Sequence, residues 1–272
     1  MPTFPPRLHV LLAAKADVGI ILRRGPSKSV CSIAWDRRRD TFSVGQWLRG
    51  RIYERRADLS PDGKYLIYFA MNGRSGSPTG GSWTAISRAP YLKAIVLLGK
   101  GDCWHGGGLF TGPRTYWLND GYGHKPLSTS TEVRRDVDYR PIAHYGGECP
   151  GVYFLRLQRD GWTLVREASK RDCMVFEKTL PNGWLLRKQA HAQIDSDPGK
   201  GCYWDEHELE HPASGQRIVG PKWEWADLDS RRLVYSEGGC LFAAKLSHRE
   251  PFAPTLLADF SDWKFEAIRA PY

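Results

Sequence analysis

The chain has 272 residues, of which 41% are hydrophobic and 12% aromatic, so it can bury a globular core. No stretch approaches the roughly 18 consecutive apolar residues that a membrane-spanning helix needs. Prolines occupy the start of the chain, where a secretory signal peptide has a charged end and a long apolar core. We therefore expect a cytoplasmic protein with no membrane partner.

The net charge of +9 is concentrated in the first half of the chain. Residues 1–136 contain 21 Lys and Arg against 10 Asp and Glu, whereas residues 137–272 contain 18 against 20. A basic half predicts an acidic partner, either a protein with an acidic face or a nucleic acid, although solubility alone also favours such a surface. Six scattered cysteines without a Cys-x-x-Cys pair indicate free thiols in a reducing compartment.

Short runs of β-branched and aromatic residues, separated by turn residues, predict strands throughout the first half. The predicted strands are 8–13, 18–23, 30–35, 41–48, 64–71, 82–88, 92–98 and 115–118. The last of them follows a glycine-rich loop, 99–108, and precedes a long polar loop that runs to about Cys149. Loops of that length are often functional.

The second half continues with the same rhythm of short strands. The predicted strands are 152–157, 162–167, 174–178, 184–189, 203–218 with a turn inside it, 232–237, 241–246 and 255–260. The first four are expected to form one unit, and those from residue 203 onward the next. Arg159-Asp160-Gly161 reads as a hairpin turn, and the tail at 265–268 is expected to pair with the first strands and close a ring. No segment shows a sustained apolar period of 3.6, so no helix is predicted.

One unit of sequence recurs along the chain. Pro61-Asp62-Gly63 predicts a tight turn, and the apolar run after it predicts a buried strand. Residues 57–68 match residues 226–235 after a two-residue gap, and Pro181-Asn182-Gly183 begins a weaker third copy. A recurring strand unit in a chain of this size is typical of a β-propeller.

The segment Ala57-Asp58-Leu59-Ser60-Pro61-Asp62-Gly63-Lys64-Tyr65-Leu66-Ile67-Tyr68 resembles the TolB-type, WD-repeat-like propeller repeat. The resemblance implies an all-β fold: a single propeller over residues 1–272 with five or six irregular four-stranded blades. Such repeats resemble scaffolds for protein contacts more often than enzymes. The resemblance therefore implies a protein-binding module without a cofactor.

Two motifs invite an enzymatic interpretation. His207-Glu208-Leu209-Glu210-His211 matches the His-Glu-x-x-His pattern of zinc hydrolases, which requires a helix. Pro212 disfavours a helix here, and on a strand the two histidines would lie roughly 13 Å apart, too far to share one ion. The glycine-rich loop lacks the Gly-Lys-Ser/Thr of a phosphate loop, and nothing in the sequence orients a Cys103–His105 pair for nucleophilic attack.

Exposed arginines and loop aromatics are the candidate partner-binding residues, because guanidinium groups pair with carboxylates and phosphates and exposed aromatics anchor interfaces. The candidates are Arg37, Arg38, Arg39, Arg49, Arg51, Arg55, Arg56, Trp104, Tyr122 and His124. We expect a non-enzymatic module that binds another protein through its loops and a basic face. The alternatives are a nucleic-acid-associated protein that uses the arginines and, less favoured, a zinc hydrolase.

Overall fold

The computed structural model describes residues 4–25, 28–166, 173–192, 201–220, 222–247 and 249–272. In these ranges the chain forms 21 β-strands in five sheets, with one α-helix and one short 3₁₀ turn, so the predicted all-β class is confirmed. Within the same ranges, no helix combines the length and the apolar character needed to cross a bilayer.

Sheet 1 is the predicted meander of four strands. It consists of β1 (Arg7–Leu12), β2 (Val18–Arg24), β3 (Ser29–Asp36) and β4 (Thr41–Arg49). The β-branched side chains Ile20, Ile21 and Ile33 of β2 and β3 are buried, because both strands lie inside the sheet.

The predicted closing strand at 265–268 is wrong, because these residues have no strand structure. They contact β4 through side chains instead. The Phe265 ring lies 6.0 Å from the Trp47 ring, and Gln46 Nε2 donates a hydrogen bond to the Ile268 carbonyl at 2.9 Å. The tail is therefore held without backbone pairing.

Sheet 2 contains the repeat segment and has five strands. They are β5 (Arg51–Leu59), β6 (Tyr65–Met71), β7 (Ser82–Arg88), β8 (Ala94–Gly99) and β11 (Lys125–Ser128). The predicted turn joins β5 to β6: Ser60 Oγ accepts hydrogen bonds from the backbone N–H groups of Lys64 and Tyr65, and Gly63 has φ +74°. As predicted, β6 is buried on both faces.

Sheet 3 is small and irregular. It consists of β9 (Gly108–Phe110), β10 (Thr115–Leu118) and β12 (Arg134–Arg135), with β10 antiparallel to β9 and parallel to β12. The predicted long loop after β10 therefore contains two short strands, β11 and β12. The remainder of that loop has no regular structure up to Cys149.

The strand predicted at 152–157 is wrong, because these residues form the helix α1 (Pro150–Arg159). Proline fits the first turn of a helix, where its missing N–H costs nothing, and the helix ends before Gly161 rather than in a hairpin turn. Val152 and Leu155 pack on Leu109, and the whole run from 151 to 157 is buried. The helix has only ten residues, and a short apolar run such as 152–155 fits a buried strand as well as a helix.

Sheet 4 and sheet 5 form the rest of the chain. Sheet 4 consists of β13 (Thr163–Arg166), β14 (Met174–Thr179), β15 (Leu185–Ala192), β16 (Tyr203–His211) and β17 (Gln216–Gly220). Sheet 5 consists of β18 (Trp225–Asp229), β19 (Arg232–Glu237), β20 (Cys240–Lys245) and β21 (Thr255–Asp259). Residue 167, the end of a predicted strand, lies outside the described residues.

The predicted grouping of these strands is corrected in one respect. Residues 203–220 belong to sheet 4, with β16 paired to β15 along eight residues, rather than to the sheet of β19–β21. Only sheets 1 and 5 have the predicted four strands.

The chain divides into two compact units. The larger unit contains Val10–Arg156 and Lys264–Tyr272, and the smaller unit contains Leu157–Trp263 with the residues up to His9. Sheets 2 and 3 and nearly all of sheet 1 belong to the larger unit, whereas sheets 4 and 5 belong to the smaller one.

The two best copies of the repeat have the same local structure in their own sheets. Each forms the hairpin that joins an edge strand to the next strand, β5 to β6 and β18 to β19. The Leu59–Leu66 pairing corresponds to Leu228–Leu233. The weaker copy at 181–183 instead joins the second and third strands of sheet 4.

Candidate partner-binding site

Arg56, one of the arginines singled out in the sequence, lies in the interior of the larger unit. It is 2% exposed, and its Nη1 donates to the carbonyl oxygens of Cys103 and His105 at 2.7 and 2.6 Å. Its guanidinium also lies over the rings of Tyr53 and Phe69, 5.0 and 4.9 Å from their centroids. Arg56 therefore holds the glycine-rich loop from inside and does not reach the surface.

Two further candidate arginines make structural contacts. Arg55 is buried, and its guanidinium lies 5.2 Å from the ring centroid of Tyr153 in α1. Arg37 uses Nη1 to donate to the carbonyl oxygens of Ala13 and Ala16, at 2.9 and 3.2 Å. Both side chains are engaged within the larger unit.

Arg38 and Arg39 are exposed beside a cavity of about 460 Å³. Their nearest carboxylates, those of Asp17 and Asp36, lie 3.6 and 3.8 Å away. Exposed ion pairs of this length contribute little stability, so these guanidinium groups can exchange partners at small cost.

Arg49 and Arg51 are also exposed, each over an aromatic ring. The Arg49 guanidinium lies 4.4 Å from the Phe265 centroid, and that of Arg51 lies 4.5 Å from the Tyr53 centroid. Four of the seven predicted arginines are therefore on the surface.

The glycine-rich loop 99–108 is ordered by charged contacts. The buried Lys100 Nζ lies 2.7 Å from Asp102 Oδ2, and the backbone N–H of Trp104 donates to Asp102 Oδ1 at 2.8 Å. Burial alone would raise the pKa of the Asp102 carboxyl, but these two donors outweigh it and the pKa is lowered. The Lys100 ammonium also supports the Tyr122 ring, 5.3 Å from its centroid.

Gly107 lets this loop approach sheet 2 closely. It has φ +71°, and a Cβ at this position would overlap the carbonyl oxygen of Arg56. Its N–H donates to Thr84 Oγ1 of β7 at 2.9 Å. Only glycine fits both the backbone conformation and the space.

His124 connects the loop to the next one through a chain of hydrogen bonds. Its Nε2 lies 3.1 Å from Thr84 Oγ1, and its Nδ1 lies 2.8 Å from Asp120 Oδ1. Asp120 Oδ2 is 3.1 Å from the Arg135 guanidinium. Since a carboxylate only accepts, Nδ1 is the donor to Asp120, and a neutral Nε2 then accepts from the threonine hydroxyl.

The protonation states agree with this arrangement. Burial is the largest cause of the lowered pKa of His124, and the charges of Lys100 and Arg135 lower it further. Together they outweigh Asp120, so the imidazole is neutral at pH 7. Burial alone would raise the pKa of Asp120, but its contacts with His124 and Arg135 outweigh it and keep the carboxylate ionised. Thr84 is fully buried, so this Thr-His-Asp chain orders two loops and presents no accessible nucleophile.

A cavity of about 510 Å³ opens where the two loops meet. The lining residues that bear charge, aromaticity or apolar surface include His105, Asp120, Arg135, Val137, Arg140 and His144. The volume is within the range of sites that bind small molecules or side chains of a partner.

His105 forms one wall of the cavity because two glycines leave space for its ring. A Cβ on Gly121 or Gly147 would occupy the position of the imidazole. The backbone N–H of His105 donates to the Gly147 carbonyl at 2.5 Å, and its ring lies 5.8 Å from the Tyr122 ring. The imidazole is thus positioned at the cavity mouth.

The loop after β12 supplies another part of the lining, and Asp136 orders this loop. Asp136 accepts hydrogen bonds from the Thr111 hydroxyl at 2.7 Å and from the backbone N–H groups of Asp138 and Tyr139 at 3.2 and 3.0 Å. The Thr111 hydrogen bond is the main reason that the pKa of Asp136 is lowered. The Tyr139 ring packs 5.9 Å from Trp117 of β10.

Large apolar side chains are exposed around this cavity. Val137 lines it and is 68% exposed, and Ile142, 74% exposed, follows the lining residue Pro141. Trp104 and Tyr122, 52% and 70% exposed, are chain neighbours of the lining residues His105 and Gly121. Exposed apolar groups gathered beside a cavity are typical of an interaction site.

The His-Glu-x-x-His segment lies on strand β16 in the smaller unit, as Pro212 led us to expect. His207 Nδ1 is 2.9 Å from the Trp223 carbonyl, and His211 Nδ1 is 2.7 Å from Ser214 Oγ. Within the described residues, no three His, Cys, Asp or Glu side chains are placed to hold a metal ion. The arrangement gives no support to zinc chemistry.

Of the three loop residues singled out in the sequence, Trp104 and Tyr122 are exposed beside the cavity. The prediction of His124 as a contact residue is wrong, because its side chain is 3% exposed and bonded to Thr84 and Asp120. Sequence reasoning missed Arg135, Arg140, His144 and Val137, which complete the cavity. The signal that could have found them is the pair of large apolar residues, Val137 and Ile142, in an otherwise polar loop.

No protein-family model matches the sequence, and no curated protein is similar enough to count as a relative.

Proposed function

We propose that the chain is a TolB-like β-propeller that binds another protein at the cavity beside sheet 3. The equivalent hairpins of the two repeat copies, each joining an edge strand to its neighbour, support the propeller. In this proposal the five sheets are five irregular blades of one ring.

The observation that carries the binding function is the set of exposed apolar side chains around the ≈510 Å³ cavity. An exposed tryptophan and tyrosine next to basic side chains are the residue types that dominate the binding energy of protein interfaces. The loops that carry them are held by Arg56, His124 and Asp136, so the surface is pre-organised and loses little entropy on binding.

A cytoplasmic location is the remaining part of the proposal. All six cysteines lie in the described residues and all are free thiols. Free thiols persist in a reducing compartment, whereas secreted proteins tend to pair them.

The test is affinity capture from native lysate with tagged protein, at low and moderate salt. The double variant Trp104→Ser/Tyr122→Ser removes the apolar anchors, and Val219→Ser/Leu256→Ser is the matched control, since those side chains are 57% and 52% exposed in the smaller unit. We expect a protein that is captured by the wild type and the control, lost with the first variant, and retained at moderate salt.

The nucleic-acid alternative predicts a different result from the same experiment. Arg38, Arg39, Arg49 and Arg51 are exposed and could contact phosphates. In that case nucleic acid is recovered at low salt and released steeply as the salt concentration rises, with both double variants behaving as the wild type.

A further inference from the structure

The lining of the cavity beside sheet 3 includes charged side chains of both signs. Arg135 and Arg140 line it together with the carboxylates of Asp120 and Asp136, and two histidines, His105 and His144, are also in the lining. Whether an acidic or a basic partner fits depends on which of these groups already have partners within the chain.

Both carboxylates are already satisfied. Asp120 accepts from His124 and pairs with Arg135, and Asp136 accepts from Thr111 and from two backbone N–H groups of its own loop. Every carboxylate oxygen of Asp120 and Asp136 therefore already has at least one donor within the chain.

Arg140 retains N–H donors that a partner could use. Arg140 uses Nη1 for the carbonyl oxygens of Val137 and Tyr139, at 2.7 and 3.1 Å, and no carboxylate in the described chain pairs with it. Its other N–H donors form a planar fork that suits a carboxylate. His144 is exposed and forms no ion pair with the described residues.

We propose that the cavity binds an acidic segment of the partner protein, in which an Asp or Glu carboxylate pairs with Arg140 and His144. Apolar residues beside that carboxylate cover Val137, Ile142 and Tyr122. This inference rests on the proposed binding function and specifies the chemistry of the partner.

The test is selection from a phage-displayed library of random 12-residue peptides with the full chain as bait. Selected peptides are synthesised, labelled with fluorescein and titrated by fluorescence anisotropy. We expect enriched sequences with Asp or Glu next to Trp, Phe, Leu or Ile. The variant Arg140→Gln/His144→Gln should bind them about tenfold more weakly, because charge-assisted hydrogen bonds are lost.

The control is Arg38→Gln/Arg39→Gln, which removes at least as much positive charge beside the other cavity and should leave the affinity within about twofold. Unchanged thermal melting of both variants shows that folding is intact. As a readout independent of any variant, amide hydrogen exchange of the wild type with a selected peptide should show protection in residues 135–147.

Enriched peptides without acidic residues, equal weakening by the control, or no peptide binder at all would overturn the inference. The proposed binding function fails separately, if capture of a partner from lysate is insensitive to the Trp104→Ser/Tyr122→Ser change.

Discussion

Arg56 shows how a cation in the interior organises a surface loop. Its guanidinium lies against two aromatic rings and donates to two carbonyl groups of the glycine-rich loop. Hydrogen bonds from a charged group are stronger than neutral ones, and losing them leaves the carbonyl groups of Cys103 and His105 without the Arg56 donor.

We therefore expect Arg56→Ala to lower the free energy of unfolding by about 3 kcal/mol. The matched variant is Arg51→Ala, an exposed arginine that also lies over Tyr53 and should cost less than about 1 kcal/mol. Urea denaturation monitored by tryptophan fluorescence measures both. Equal losses for the two variants would show that the interior contacts of Arg56 contribute nothing beyond stacking.

His124 makes the stability of the fold depend on pH. Its pKa in the folded chain is lowered below the ordinary value of 6.5, mainly by burial, so the unfolded chain binds a proton more readily. The contribution is fully present above pH 6.5 and is lost as the pH falls from there towards the folded pKa.

The variant His124→Gln removes this titration. Between pH 7 and pH 5 the wild type should lose more stability than the variant, with a difference in slope of up to about 1.4 kcal/mol per pH unit, the limit for one proton. The measurement is the free energy of unfolding across this pH range. Parallel pH profiles for the two proteins would contradict the buried neutral imidazole.

At the scale of elements, the glycine-rich loop depends on one position. Gly107 combines a positive φ with a close approach to the Arg56 carbonyl, whereas Gly101 has φ +80° and open space around its Cβ position. The positive φ disfavours alanine at both positions, but only at Gly107 is there also no space for a methyl group.

We expect Gly101→Ala to destabilise the protein by about 1 kcal/mol, the cost of left-handed backbone. Gly107→Ala should cost at least about 2 kcal/mol more, because the methyl group forces the loop away from sheet 2. Thermal and urea unfolding of the wild type and the two variants measure these losses. If both substitutions lower the free energy of unfolding by the same amount, Gly107 does not lie as close to the Arg56 carbonyl as described.

Sequence reasoning worked best for elements whose pattern is local. The turn at 60–63, the buried strand β6 and the strand under the His-Glu-x-x-His segment all follow from turn chemistry, β-branched runs and Pro212. The helix α1 was missed because it is short, with ten residues, and its apolar run at 152–155 also fits a buried strand.

The site was predictable only in part, because burial is decided by tertiary contacts. Arg55 and Arg56 read as surface charges, yet they occupy the interior because aromatic rings and carbonyl groups surround them there. Arg140 and His144 line the cavity because the loop after β12 packs against β10. No local pattern marks such long-range placement.

At the scale of the whole molecule, the described chain forms five sheets, and the repeat occurs in two of them. The repeat sets the same pairing in sheets 2 and 5, while the irregular sheet 3 carries the cavity and its exposed aromatics. The regular sheets form a scaffold, and the candidate site lies in the loops around sheet 3. Binding residues are commonly found on loops that a rigid scaffold positions.

The most direct test of the account is amide hydrogen exchange of the full chain with and without the protein captured from lysate. We predict protection of residues 102–107, 119–124 and 135–147, with residues 36–41 and 203–211 unchanged. Protection confined to 36–41 or 203–211, with the loops around the cavity exchanging as in the free protein, would contradict the central claim.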